Sequence, residues 1–404
     1  MRTILAAPFR WLTRGWLGAL GLSLLAAVTI AACGGGSESA AVGSGGTGSF
    51  SVGTITGFGS VIVNGQRYED ASASVSDEEG PRSRSDLRLG MVVTVQGSIS
   101  DSGSATATAT ATASSIVFDS DLLGPVDAGS INTVNNTFTV LGQKVVVTAA
   151  TVFDAALPRG LAGLRAGQTV EVYGFLNPVA NELQASLVQP GSTPDKYKIS
   201  GNVSSLDSGA RTFQIGSATV SYAGVSGPDV PQANGVFAKV KLSTVAAGAR
   251  PATGLRLNNV VAADRQNAEV EGLVAAFSSP AQFSVGNVRV DARNASFPNG
   301  TTGLGLGARV EVKGALVAGT LLASVVKVPD PKAEKQIELK GSVSALDSAA
   351  KTFVVRGVVV TYAGAVQYEK GGLADLRNGA RIEVKGRIST NSAMVIATRI
   401  EFSD

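Results

Sequence analysis

Along residues 335–404 apolar and polar side chains alternate with period two, as in strands with one buried face. Ile337, Leu339, Gly341, Val343 and Ala345 share one face, and Asp347-Ser348-Ala349 turns the chain. Phe353 and Val355 continue the inward face, and Tyr362 ends a third strand. Leu373 to Gly379 reads as one short helical turn stopped by glycine. Ile382 and Val384 point inward on a fourth strand, with Arg381, Glu383 and Lys385 outward; Ile396, Ile400 and Phe402 mark a fifth. The predicted order is three strands, a short helical segment and two strands.

The same pattern recurs along the chain. A glycine inside a short apolar run appears as Gly53, Gly124, Gly201, Gly272 and Gly341. A second landmark follows each: Val61-Ile-Val63-Asn-Gly65, Phe138-Thr-Val140-Leu-Gly142, Phe213-Gln-Ile215-Gly216, Phe283-Ser-Val285-Gly286 and Phe353-Val-Val355-Arg-Gly357. A third is Gly90-x-x-Val-x-Val95-Gln-Gly97, with counterparts ending at Gly174, Gly314 and Gly386. The third unit keeps Gly235 and Val240 but has Leu242 in place of that last glycine. An Ala-x-x-Ile run closes the unit, as at Ala113–Ile116 and Ala397–Ile400. These landmarks divide the chain into repeats at 53–121, 122–195, 196–266 (divergent), 267–334 and 335–404.

A unit of about 70 residues lies near the lower limit for a self-supporting core, and closing its sheet removes exposed edges. The fold class expected is therefore all-β: five tandem, small, five-stranded OB-like barrels. A chain of β-sandwiches or open meanders is the alternative. The recurrent glycines suit bulges and tight corners. The repeats resemble a bacterial family, domain of unknown function 5666. Its pattern runs Gly-x-Ile/Val, Phe-x-Val-x-Gly, Leu-x-x-Gly-x-x-Val-x-Val-x-Gly and Ala-x-x-Ile. The resemblance covers nearly all of residues 53–404 and departs in the third unit, at Leu242 and in a longer loop near Gly227-Pro228. It implies the architecture and an envelope location, and carries no active site.

Upstream of the repeats the pattern changes. Arg2, Arg10 and Arg14 form a basic region free of acids, and Trp16 to Ala32 is an apolar run ending in small side chains. At 17 residues the run is short for a membrane span. Ile30-Ala31-Ala32-Cys33 resembles the bacterial lipobox. That resemblance implies cleavage before Cys33, diacylation of its thiol and, with Gly34 following, the outer membrane. Residues 1–32 read as a lipoprotein signal peptide, and 33–52 as the lipidated Cys33 with a Gly/Ser tether. Sixteen such tether residues (Gly34–Ser49) reach roughly 20–25 Å.

Composition sharpens this reading. The full chain carries 34 basic and 31 acidic side chains, no His and one Cys. His-containing triads, Cys/His zinc sites, His-bound haem and an internal disulfide framework are excluded. Removing the signal peptide leaves 31 basic and 31 acidic residues and takes away both Trp, Trp11 and Trp16. A neutral chain without Trp lacks the basic, aromatic groove of a single-strand nucleic-acid binder, so no nucleic-acid partner is expected. Charge is uneven, however. Residues 53–120 carry four basic and eight acidic side chains, and residues 335–404 carry ten and seven.

Few residues suggest chemistry. Asp154 with Glu171, or Asp375 with Glu383, is a conceivable hydrolytic carboxylate pair, although Glu171 and Glu383 alternate with apolar neighbours. Gly303, Gly305 and Gly307 precede a strand, whereas phosphate loops follow one. Asp77, Glu78 and Glu79 read first as a solvated loop; they are weak candidates for a divalent cation and lack calcium-loop spacing. Thr/Ala alternation over 105–113 reads as a protruding hairpin. No catalytic residues and no cofactor are expected. The expected function is a non-enzymatic, lipid-anchored array in the outer membrane, facing the periplasm or the cell surface. It would present an extended stack of loop faces to an envelope or extracellular polysaccharide or protein, with the fifth repeat membrane-distal. A structural spacer is the alternative, and a carboxylate-based hydrolase a remote one.

Overall fold

The computed structural model describes residues 47–100, 110–192, 195–245, 248–257, 263–330, 334–389 and 393–403. The segment read as a signal peptide, with Ile30, Ala31, Ala32 and Cys33, and most of the Thr/Ala run lie outside them. No helix among the described residues is long and apolar enough to cross a membrane.

The protein is all-β and its repeats are closed barrels. In repeat one the strands are Thr47–Phe58, Val61–Val63, Gln66–Glu69, Val92–Ser100 and Thr110–Phe118. The first pairs antiparallel with the second and the fourth, the second with the third, and the fourth with the fifth. The third runs parallel to the fifth (Tyr68 opposite Ala111) and closes the ring in the order 1-2-3-5-4-1. Repeats three, four and five close the same way, through parallel pairs at Val220–Arg250, Val290–Leu321 and Val360–Val395. In repeat two the parallel pair is Val145–Leu183, and a single bridge, Val126–Val140, joins its first and second strands.

Two glycine positions explain how so short a chain bends into a barrel. Before each fourth strand stands a glycine with φ between 77° and 87°: Gly90, Gly167, Gly235, Gly307 and Gly379. Each donates its N–H to a first-strand carbonyl, from Gly235 to Val203 at 2.7 Å through Gly90 to Ile55 at 2.9 Å. Within the fourth strand, Gly97, Gly174, Gly314 and Gly386 each follow a register shift against the fifth strand. A Cβ there would meet a carbonyl oxygen of the fifth strand at 2.0–2.3 Å, so the bulge excludes a side chain. Repeat three keeps the register shift at Leu242, whose side chain is buried in the core shared by repeats two and three.

Three local expectations change. The first strand begins at Thr47, inside the stretch assigned to the tether. Ala345, expected to face inward, is exposed at φ 46°, where the first strand of repeat five shifts register. Ile396 is only partly buried. The bulge at Gly386 switches parity, so Val395, Ala397, Ile400 and Phe402 face the core.

Residues 44–404 form one compact unit rather than an extended array. The outer half of an OB-type first strand leaves an open edge, and here such edges pair across repeats. Ser49–Val52 of repeat one runs parallel to Asn267–Val270 of repeat four, and Gly57–Phe58 runs parallel to Glu338–Leu339 of repeat five. Lys198 of repeat three pairs with Leu123 of repeat two. The cores merge accordingly. One unites repeats one and five and takes in Tyr173 and Leu187 of repeat two; another unites repeats two and three; and Phe50 of repeat one enters the core of repeat four. Repeat one is thus a hub, and repeat five packs against it instead of standing at the far end.

Candidate functional site

The fifth repeat presents the least neutralised cationic surface. A cleft of about 510 Å³ lies between its first and fourth strands, the turn joining its second and third, and Gly59 of repeat one, and is lined by Lys340, Ser342, Arg356 and Arg381. Lys340 leaves the first strand (Gln336–Asp347) outward, and Arg381 opens the fourth (Arg381–Ile388). Arg356 sits in the two-residue turn between Val355 and Val358, at φ 52° with Gly357 at 78°. Its Nε donates to the Lys340 carbonyl at 3.1 Å. All three cations are exposed, and among the described residues none pairs with a carboxylate. Their fields add over one short surface, which suits an anion with several charges. The alternation around Arg381 marked it as an outward charge, but the convergence of two strands and a turn on one cleft was not visible in the pattern.

Along the seam between repeats one, two and three, charges are paired across repeats. Asp77, Glu78 and Glu79 occupy the turn of an extra hairpin, Ser74–Asp77 with Gly80–Arg82. The hairpin reaches repeat three, where residues 196–266 carry eight basic and three acidic side chains. Glu78 meets Lys198 at 2.6 Å, Arg256 at 3.2 Å and Lys241 at 3.4 Å, while Glu79 meets Lys196 at 2.6 Å and Lys241 at 2.7 Å. Asp77 is held by Arg82 at 2.6 Å and accepts the Glu79 N–H. The stretch is therefore not a freely solvated loop: lysine and arginine side chains occupy these carboxylates, including the weak cation candidates. Lys196 and then Lys241 hydrogen-bond Glu79 and hold its carboxyl down to about 2. Deeper in the seam Lys239 bridges Asp121 at 3.1 Å and Asp119 at 3.3 Å. Burial acts to lower the Lys239 pKa, but the two aspartates outweigh it and hold the ammonium above its ordinary value.

The proposed carboxylate pairs do not make sites. Asp154 accepts the Ala156 N–H at 2.9 Å in a turn and lines a cavity between repeats one, two and five. Glu171 accepts from Gln189 at 2.7 Å and lines a different one. Asp375 accepts the Gly372 N–H at 2.9 Å and caps a 3-10 turn, while Glu383 stands beside Lys385 at 3.7 Å. Gly303 and Gly307, at φ 82° and 77°, shape the turn into the fourth strand of repeat four. No group of three or more carboxylates or thiols among the described residues is placed to hold a metal ion.

The family described as domain of unknown function (DUF5666) matches residues 52–109, 124–189, 271–327 and 340–401, more than half of the chain. The match omits repeat three, narrower coverage than the sequence resemblance suggested, although that repeat folds into the same ring. A solved structure entitled "drosophila Unr CSD456" is 13% identical and is covered over 52% of this chain and 98% of its own, with a TM-score of 0.13. No curated protein matches.

Proposed function

This chain belongs to the DUF5666 family, and from that premise we propose that it is a non-catalytic, lipid-anchored protein of the bacterial cell envelope. Its role on this reading is to bind an anionic envelope polymer with the fifth repeat. The observation that carries the reading is the cleft of Lys340, Arg356 and Arg381, three cations without carboxylate partners among the described residues, where most other charges are paired. The N-terminal pattern supports the anchor: a basic region, an apolar run and Ile30-Ala31-Ala32-Cys33. Two or three acyl chains on Cys33 hold a protein stably at a bilayer. Thr47 follows Cys33 by 14 residues, a reach of roughly 20 Å for a Gly/Ser chain.

Purified residues 34–404 titrated with heparin, as a sulfated-polysaccharide probe, and with neutral dextran test the reading. Heparin binds at about 50 mM salt and weakens severalfold at about 300 mM, as charges beyond a Debye length are screened. Dextran does not bind, and the double variant Lys340→Glu, Arg381→Glu loses at least about tenfold in heparin affinity. Absence of binding to any anionic polymer, or an unaffected double variant, overturns it and favours a structural spacer. For the anchor, Cys33→Ser abolishes metabolic lipid labelling; persistent labelling contradicts the processing scheme.

A further inference from the structure

A second concavity has a different chemistry. A cavity of about 550 Å³ opens where repeats one, two and five meet. Its walls are apolar: Leu89 from repeat one, Phe153 and Leu187 from repeat two, and Val359, Met394 and Val395 from repeat five. Leu89, Phe153, Leu187 and Val395 are buried, and Val359 and Met394 are half-buried, so the wall of repeat five is open to the cavity. Gly90 permits this junction: a Cβ there would meet the Ser186 carbonyl oxygen at 2.5 Å and Val152 at 2.9 Å. The volume lies within the roughly 300–1,000 Å³ of sites that bury a small ligand.

Four charged side chains line the cavity: Arg84, Arg88, Arg356 and Asp154. Arg84 is spent on Asp70, with two hydrogen bonds at 3.0 and 2.9 Å. Asp154 accepts the Ala156 N–H in its own turn. Arg88 donates to the backbone carbonyls of Ser85 and Leu87, and Arg356 to that of Lys340; among the described residues neither pairs with a carboxylate. The balance is an apolar chamber whose unpaired charges are two guanidinium groups set against one carboxylate. A neutral apolar ligand leaves those guanidinium groups unused, and a multiply charged polymer cannot use the apolar walls.

We propose that this cavity binds a long-chain carboxylate, a single-chain amphiphile with its acyl chain against Leu89, Phe153, Leu187, Val359, Met394 and Val395 and its head group on Arg88 and Arg356. The proposal does not rest on polymer binding by the fifth repeat. Arg356 lines both concavities, so the tests avoid it.

All described members of the three cores lie at or after residue 50, and residues 44–404 form one compact unit, so this fragment carries the site. Displacement of a fluorescent fatty acid from it by saturated carboxylates of increasing length reads the affinity. Affinity rises about threefold to fourfold per added methylene until the chamber is filled. The alcohol of equal length binds at least about tenfold more weakly, since a charge-assisted hydrogen bond is lost. Arg88→Gln reduces carboxylate affinity about tenfold, leaves the alcohol unchanged and leaves heparin binding intact. Val359→Glu, on an outer strand face where a charge does not enter the barrel core, abolishes carboxylate binding with circular dichroism unchanged. Absence of carboxylate binding, equal affinity for alcohol and carboxylate, or indifference to both substitutions overturns the proposal. Heparin binding by the Arg88→Gln protein reports separately on the polymer reading.

Discussion

Glu271 is the side chain through which three parts of the chain hold one another. It stands on the first strand of repeat four, only 3% exposed. Its carboxylate accepts the backbone N–H and the hydroxyl of Thr54 in repeat one, both at 2.8 Å. It also meets Arg309 at 2.6 and 3.1 Å, and Lys335, at the start of repeat five, at 2.7 Å. Burial would raise the Glu271 pKa, but Lys335 and Arg309 overcome it and hold the carboxyl well below the usual carboxylate range. Glu271→Gln keeps the shape, removes the charge and strands two cations whose side chains are only 18% and 19% exposed. Breaking a buried pair costs about 3–5 kcal/mol. The partial exposure of both cations lets water recover part of this, so about 2–4 kcal/mol is expected. The sign with pH follows from a depressed folded pKa. The stabilisation is fully present above the unfolded value, near 4.5, and is lost only as pH falls through the lower folded value. Urea unfolding of wild type and variant at neutral pH measures the difference. A variant within about 0.5 kcal/mol of wild type would refute the idea that Glu271 secures the junction.

Burial raises Glu269 to about 7 against the opposing pull of Lys313, so its contribution is fully present below about pH 4.5 and lost as pH rises through 7. Stability should fall by at most about 3 kcal/mol between pH 5 and 8, and Glu269→Gln should flatten that profile in urea melts. Gly386→Ala drives a Cβ to 2.3 Å from the Ile396 carbonyl oxygen and should cost about 1–3 kcal/mol, whereas Gly364→Ala, with open space around it, should be neutral in the same denaturation assay. Glu79, held at about 2 by Lys196 and Lys241, contributes above its unfolded value and lets go only as pH falls through 2. Hydrogen exchange of the 74–82 hairpin should therefore stay protected at pH 4 and rise with salt; free exchange at pH 4 would contradict the ion-paired seam.

The single barrel was legible because its determinants are local. Period-two alternation, turn glycines and the fourth-strand glycine encode strands and bulge within one unit. Parity failed where a bulge intervened: Ile396 and Ala345 lie next to register shifts that an uninterrupted alternation does not reveal. The assembly was not legible. The pairing of Ser49–Val52 with Asn267–Val270 joins segments more than 200 residues apart through backbone groups that any side chain permits. The acidic run at 77–79 suggested a cation because its neutralising partners, Lys196, Lys198, Lys241 and Arg256, lie in another repeat. The cleft and the cavity share that origin, since each is completed by residues of more than one repeat.

Both proposed binding surfaces therefore depend on repeat one acting as a hub, and the solution dimension of residues 44–404 tests this most directly. A compact body of that length has a radius of gyration of about 21 Å by the usual size scaling, whereas five barrels of about 70 residues strung end to end give roughly 40 Å. Small-angle X-ray scattering should return a value of about 21–25 Å with a single compact distance distribution. A value above about 32 Å would mean that the repeats form a string, and that neither the fifth-repeat cleft nor the three-repeat cavity exists as described.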